Sequence, residues 1–258
     1  MSIGQQSSSF LLIIRAECKQ MFARIINLKE RVDRWNLVQP FLNSKHNIQR
    51  FDALKFKKED AMNFLTPRAR ADFMKPMRYQ HETIFGVGAI GCAMSHLTIW
   101  REFLASNASH ALILEDDIDP KYAGDLDSKI AEIRDCDIFM LGWMGKPTVK
   151  PDGTVLAYPS GKMIWGTHAY ILNRRAAETL CIHGFPLEMQ ADYMLQAIAD
   201  QYNLTVRCAS SPIKQRYTGT WTNIMGSNIF SICLFCDPTN VYIAFGAVVV
   251  LAVYFYLN

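Results

Sequence analysis

Leu112-Ile113-Leu114-Glu115-Asp116-Asp117 is the stretch on which the reading of this chain turns. The apolar run from Ala111 to Leu114 is too short for a helix and has no period-2 alternation. It reads as a strand buried on both faces. Three acids follow at once. Adjacent carboxylates repel one another unless a cation or water separates them. In extended backbone, residues i and i+2 point the same way. Glu115 and Asp117 are therefore expected to share a site, with Asp116 turned away or held by backbone donors. Oxygen ligands of this kind suit Mg²⁺ or Mn²⁺, ions that commonly bridge carboxylates to a diphosphate. An acidic turn capping the next element is the other reading of the same residues, and both stand at this point.

Outward from this strand, apolar runs alternate with helical patterns. Strands are expected at 23–28, 48–53, 138–141, 169–172 and 204–208, and helices at 29–42, 88–105, 124–133, 174–183 and 189–200. Such alternation with little period-2 pattern predicts an α/β fold, a sheet with helices on both faces. Sheets of this type bind ligands at the carboxyl ends of their strands, which is where the acids fall. Residues 65–80 interrupt the rhythm with Arg68, Arg70, Lys75 and Arg78 against one acid, Asp72, and Pro67 and Pro76 discourage one long helix. They read either as a solvated surface loop or as a basic segment near an anionic ligand.

The chain has 258 residues, a mass of 29.4 kDa, half its residues apolar and a fifth charged. That composition excludes a disordered or collagen-like chain. A net charge of +3 and a pI near 8.4 are too mild for a dedicated nucleic-acid binder, so no nucleic-acid partner is expected. Seven cysteines at 18, 92, 136, 181, 208, 233 and 236 form no paired framework, and reduced thiols are expected. Residues 1–20 open with a polar, Ser-rich stretch and are expected to be poorly ordered; no secretory signal is legible there.

At the other end, Val241 to Leu257 is an uncharged run of 17 residues, ten of them Val, Ile, Leu or Phe. As a helix it would span about 26 Å, and its apolar side chains would favour insertion by about 3 to 6 kcal/mol. Tyr242, Tyr254 and Tyr256 lie near its ends, where aromatic belts sit. The expected organisation is a globular domain over 21–228, a juxtamembrane segment over 229–240 and a C-terminal transmembrane helix over 241–257. A buried strand or core helix is the competing reading. Lys214 and Arg216 precede the run, which places the main domain on the cytosolic side.

Gly86-Val87-Gly88-Ala89-Ile90-Gly91-Cys92 opens the 88–105 helix. Its literal GxGxxG does not follow a strand, so the dinucleotide-fold reading fails. Gly88, Gly91 and Ser95 form a small-residue face that lets the helix approach another backbone or a bound ligand closely. The helix start is also a candidate phosphate site. His96 reads as a satisfied core histidine or as a site residue.

Four segments, in order, resemble glycosyltransferase family 25, the lipooligosaccharide-type β-galactosyltransferases, to which the collagen galactosyltransferases also belong. They are Ile26-Asn27-Leu28 with Arg31 and Arg34, Gly88 to Cys92 with Ser95-His96, Leu114 to Asp117, and Trp165 to Tyr170 followed by Arg174-Arg175-Ala176. The resemblance covers roughly 23–215. The chain departs from the family pattern at Leu54-Lys55-Phe56, which replaces the acidic-glycine end that usually follows a motif like Phe51-Asp52-Ala53.

The resemblance implies a GT-A-like, Rossmann-type mixed sheet, a UDP-sugar donor (galactose or glucose), Mn²⁺ or Mg²⁺, and inversion at the anomeric carbon. It implies Glu115 and Asp117 as metal ligands. Asn27, Arg31, Arg34, Gly88, Gly91, Ser95, His96, Glu115, Asp116 and His168 would contact the donor side of the site. An inverting transfer also needs a base for the acceptor hydroxyl; Asp192 is the candidate, its other reading being an acid at a helix N-terminus. The expected partners are a nucleotide sugar, a glycan, lipooligosaccharide or glycoprotein acceptor, and a membrane. The competing functions are another metal-dependent phosphoryl-group enzyme and a catalytically silent, membrane-tethered binding module.

Overall fold

The structure is a computed structural model and describes residues 21–74, 84, 86–144 and 165–216. Six strands form one mixed sheet: β1 (Met21–Asn27), β2 (Gln49–Asp52), β3 (His110–Glu115), β4 (Ile138–Met144), β5 (Trp165–Asn173) and β6 (Val206–Cys208), in the order β2-β1-β3-β5-β4-β6. The β1–β2, β1–β3 and β4–β6 pairs are parallel, while β5 runs antiparallel to both β3 and β4. That reversal brings the first residues of β5 to the edge where β1 and β3 end. In β3, Ala111 to Leu114 are fully buried, and Ile138 to Leu141 of β4 are nearly so. Consecutive buried residues mean that both faces are covered, as the unalternating apolar runs require. Burial of Leu112, Ile113 and Leu114 stabilises the strand by about 5 to 9 kcal/mol, which helps a sheet carry three carboxylates at its tip.

The helices are α1 (Val32–Val38), α2 (Lys58–Ala61), α3 (Pro67–Phe73), α4 (Val87–Ala105), α5 (Leu126–Ile130), α6 (Arg174–His183) and α7 (Ala191–Gln201). The long α4 is the hub, packing against α6, α7, β1 and β3. Asn173 caps α6 by accepting the Ala176 N–H at 2.9 Å, and Arg174 donates to the carbonyls of Leu104, Ser106 and Ala108 where α4 ends.

Two expected helices are shorter than the pattern predicts. The 29–42 helix becomes α1 followed by a 3₁₀ turn, Gln39–Asn43, because Pro40 removes a backbone donor there. The 124–133 helix shrinks to α5, behind a 3₁₀ turn at Pro120–Asp125. The basic segment starts as a helix rather than a loop: Thr66 caps α3 by accepting the Ala69 N–H, and Pro67 sits in its first turn. The rest of that segment, residues 1–20 and the expected juxtamembrane and membrane runs lie outside the described residues. Among the described residues no helix is long and apolar enough to cross a membrane.

Candidate active site

The carboxyl ends of β1 and β3, the start of β5 and the first turn of α7 converge on the acidic triplet. Asp116 is gripped by side chains rather than by the backbone donors expected of it. Asn27 Nδ2 donates to its Oδ2 at 2.6 Å, and Arg34 to its Oδ1 at 2.9 Å. Burial outweighs these donors and holds the Asp116 carboxyl above its usual range. Arg31 does not reach the triplet with its guanidinium, which is taken by Asp33; its carbonyl accepts from Asn27 Nδ2.

Glu115 and Asp117 differ in their surroundings. Glu115 Oε1 accepts from Thr167 Oγ1 at 2.8 Å and lies 3.2 Å from His96 Nε2. Burial works to raise this carboxyl, but the hydrogen bonds from His96 and Thr167 outweigh it and hold Glu115 below its usual range. Asp117 Oδ2 accepts from Gln215 Nε2 at 3.0 Å, while among the described residues its buried Oδ1 has no hydrogen-bond partner. Burial, then the charges of Glu115 and Asp116, push Asp117 up to about 7. Neighbouring carboxyls are thus driven apart by their different surroundings.

His168 is fully buried. Its Nε2 lies 2.9 Å from the Ile213 carbonyl and so carries the donated hydrogen, leaving Nδ1 as a buried acceptor without a partner. Burial lowers its basicity. The ring fits because Gly142 and Gly166 flank it; a Cβ on Gly166, whose φ of +92° already favours glycine, would stand 2.7 Å from Nδ1. Asn27 Oδ1 is a further buried acceptor with no donor. A lone pair without a donor is costly in a protein interior, and the carboxylate and imidazole among these acceptors are groups that hold Mn²⁺ or Mg²⁺. The residues present fit such an ion.

Asp192 lies in the first turn of α7, half-buried, with Oδ2 accepting the Gly166 N–H at 3.1 Å and Oδ1 the Tyr193 N–H at 3.0 Å. Burial raises its carboxyl above the usual range. It is close enough to Glu115 for the two charges to interact, so it stands in the same cluster.

On the small face of α4, Gly91 and Ser95 meet backbone. A Cβ at Gly91 would lie 2.5 Å from the Leu54 carbonyl oxygen, and Ser95 Oγ accepts the Leu54 N–H while donating to the Gly91 carbonyl. Gly91 and Ser95 therefore seat the chain that leaves β2, which is where the sequence departs from the family pattern. Gly88 lies in the first turn of α4.

Sequence reasoning overlooked four contributors. Thr167 and Gln215 reach the acids from 52 and 98 residues away, a distance no local pattern records. Tyr170 hydrogen-bonds His96, and Cys92 joins His96 and Glu115 in a group whose ligand-type atoms lie within 4.8 Å of one another. The Cys92–His96 spacing of four on one helix was the available signal.

Solved structures with loose likeness include CMP:2-keto-3-deoxy-manno-octonic acid synthetase complexed with CTP, at 11% identity and a TM-score of 0.43 over 76% of this chain and 90% of that one. HddC from Yersinia pseudotuberculosis complexed with GMP-PN gives 12% and 0.37 over 73% and 89%. A protein of Acanthamoeba polyphaga mimivirus named "Putative glycosyltransferase R655" is 26% identical over 168 residues, which are 60% of this chain and 50% of that protein. The chain thus spans about half the length of that curated relative. The profile of glycosyltransferase family 25 (LPS biosynthesis protein) matches residues 21–195, a span that holds the acidic triplet, the α4 motif, the start of β5 and Asp192. On that match, over more than half of its length, the chain belongs to glycosyltransferase family 25.

Proposed function

We propose that this glycosyltransferase moves a hexose, galactose or glucose, from a UDP-sugar to a hydroxyl of a glycan, lipooligosaccharide or glycoprotein, with inversion and with a divalent metal. The observation that carries this reading is Asp117: a half-buried acid whose buried Oδ1 has no hydrogen-bond partner among the described residues, beside two further carboxylates. Asp117 and Glu115 would hold Mn²⁺ or Mg²⁺, with His168 near enough to Glu115 for their charges to interact. The ion would supply positive charge against the departing diphosphate. Arg34 fixes Asp116 and adds positive charge at the end of β1. Asn27 offers its free Oδ1 to a donor N–H of the nucleotide. Asp192, its carboxyl raised by burial, takes the proton from the acceptor hydroxyl as that oxygen bonds to the anomeric carbon. The bond from that carbon to the diphosphate breaks on the opposite face, and its electron pair leaves with UDP.

The purified chain should release UDP slowly from UDP-galactose or UDP-glucose, and only with Mn²⁺ or Mg²⁺ present. Asp117→Ala should reduce that release by about 100-fold or more while circular dichroism is unchanged. Undiminished release removes the triplet from the chemistry. Inorganic phosphate as product would mark a phosphatase instead, and UDP binding without any turnover a binding module. We also assign the 241–257 run to a membrane, with the catalytic domain on the cytosolic side. Removal of 238–258 should release the chain from membranes, and a full-length chain already found in the soluble fraction contradicts that assignment.

A further inference from the structure

Glu115 is approached from behind by a line of fully buried side chains. Trp100 Nε1 donates to Tyr170 Oη at 2.9 Å, Tyr170 Oη is 2.8 Å from His96 Nδ1, and His96 Nε2 is 3.2 Å from Glu115 Oε1. Trp100, Tyr170 and His96 have no solvent exposure. The direction of each bond follows from what the groups are able to do. An indole N–H only donates, so it occupies a lone pair of the Tyr170 oxygen. The phenol hydrogen then needs an acceptor, and His96 Nδ1 is the one within reach. With Nδ1 accepting, the imidazole hydrogen sits on Nε2 and points at Glu115. The opposite tautomer would leave the phenol hydrogen unmet in the interior and would set a lone pair of His96 against the carboxylate, two penalties with no gain.

We propose that His96 is a positioning residue. Locked into one tautomer by Tyr170 and Trp100, it pins Glu115 Oε1 together with Thr167, so that Oε2 is the oxygen presented to a divalent cation. This rests on the reading that Glu115 faces the metal of a donor site, and it adds the reason that carboxylate is held in one orientation. The same arrangement works against Cys92, His96 and Glu115 as a thiolate–imidazole metal centre of their own, although their ligand-type atoms lie within 4.8 Å of one another. Binding such an ion through Nε2 would require loss of the hydrogen that this arrangement places there. Outer partners that orient a metal ligand typically matter about 10- to 100-fold in metal affinity.

The test uses the full-length chain. Long-range ¹H–¹⁵N correlation of the His96 ring should give a protonated Nε2 and a bare Nδ1, both before and after Mg²⁺ addition. Tyr170→Phe, which keeps the ring and removes the hydroxyl, should mix the tautomers. It should also weaken Mn²⁺ binding, measured by electron paramagnetic resonance, by about tenfold. His96→Gln, whose amide N–H still reaches Glu115, should keep more of the Mn²⁺ affinity than His96→Leu. A hydrogen found on Nδ1 overturns the proposal. So does a folded Tyr170→Phe variant with unaltered tautomer and Mn²⁺ affinity, or Co²⁺ bound with thiolate charge-transfer absorption. Glu115→Gln separates the two layers: if it leaves Mn²⁺ affinity unchanged, the metal role of Glu115 fails, while the ring spectrum still decides whether the line of hydrogen bonds is locked.

Discussion

Two aspartates, Asp137 buried and Asp117 half-buried, sit at opposite ends of the same sheet, and they are solvated by the protein in opposite ways. Asp137 precedes β4. Its Oδ2 accepts from Arg175 at 2.6 Å and from the Thr205 N–H at 2.8 Å, and its Oδ1 from Asn173 Nδ2 at 3.0 Å. Asp117 follows β3 and receives one side-chain donor, with its second oxygen unmet and Glu115 and Asp116 as neighbours. A fold that supplies three donors to one aspartate and one to the other is capable of satisfying a carboxylate. The shortfall at Asp117 is therefore a property of that edge. Complete solvation goes with the end that holds the sheet together, and incomplete solvation with the end at which we propose a ligand.

The sharpest way to break this contrast is to exchange the readouts. Asp137→Ala leaves the Thr205 N–H and the Asn173 amide without their acceptor and should cost about 1 to 3 kcal/mol of stability, seen as a lower denaturation midpoint. UDP release per folded molecule should be retained. Asp117→Ala should do the reverse, as described above. Equal stability losses in both variants would erase the distinction.

The pH dependence is next in size. The native state keeps Asp117 protonated up to about pH 7, whereas in the unfolded chain an aspartate loses its proton near about pH 4. The folded form thus binds more protons between those values. The resulting stability is fully present below about pH 4 and is lost as the pH rises through about 7, a change on the order of a few kcal/mol. Asp117→Asn should flatten that decline in metal-free protein. Because a ligand carboxylate must be ionised, Mn²⁺ binding should weaken by about tenfold per pH unit below about pH 7. A Mn²⁺ affinity unaffected by pH between 5 and 8 contradicts the raised Asp117.

Much of the scaffold was legible because burial writes itself into sequence. The unalternating runs at Ala111–Leu114 and Ile138–Leu141 became strands covered on both faces, and the 174–183 pattern became α6 with those bounds. Strand direction was not legible, since an apolar run reads the same either way. The reversal of β5, which delivers Thr167 and His168 to the acids, therefore appears only in the structure. The acidic triplet identified itself by its charge density, whereas its partners Thr167 and Gln215 carry no local signal. Asp137 was invisible for the same reason, being one acid among the helical and loop acids of 125–137. The small face of α4 was legible as a close-approach surface, but spacing alone left open whether backbone or ligand would approach it.

That face gives the smallest and most discriminating effect. Gly91→Ala drives a methyl to within 2.5 Å of the Leu54 carbonyl oxygen, a backbone atom unable to swing away. It should cost about 1 to 3 kcal/mol, with the KM for a UDP-sugar unchanged. A raised KM without loss of stability would return Gly91 to the donor site.

The most direct measurement is a crystal structure of the chain soaked with Mn²⁺ and UDP. The account predicts a manganese ion within about 2.2 Å of an Asp117 oxygen, with Glu115 on the same ion and the diphosphate against it on the Arg34 side. Nucleotide and ion found elsewhere, with Asp117 Oδ1 still unpartnered, would contradict it.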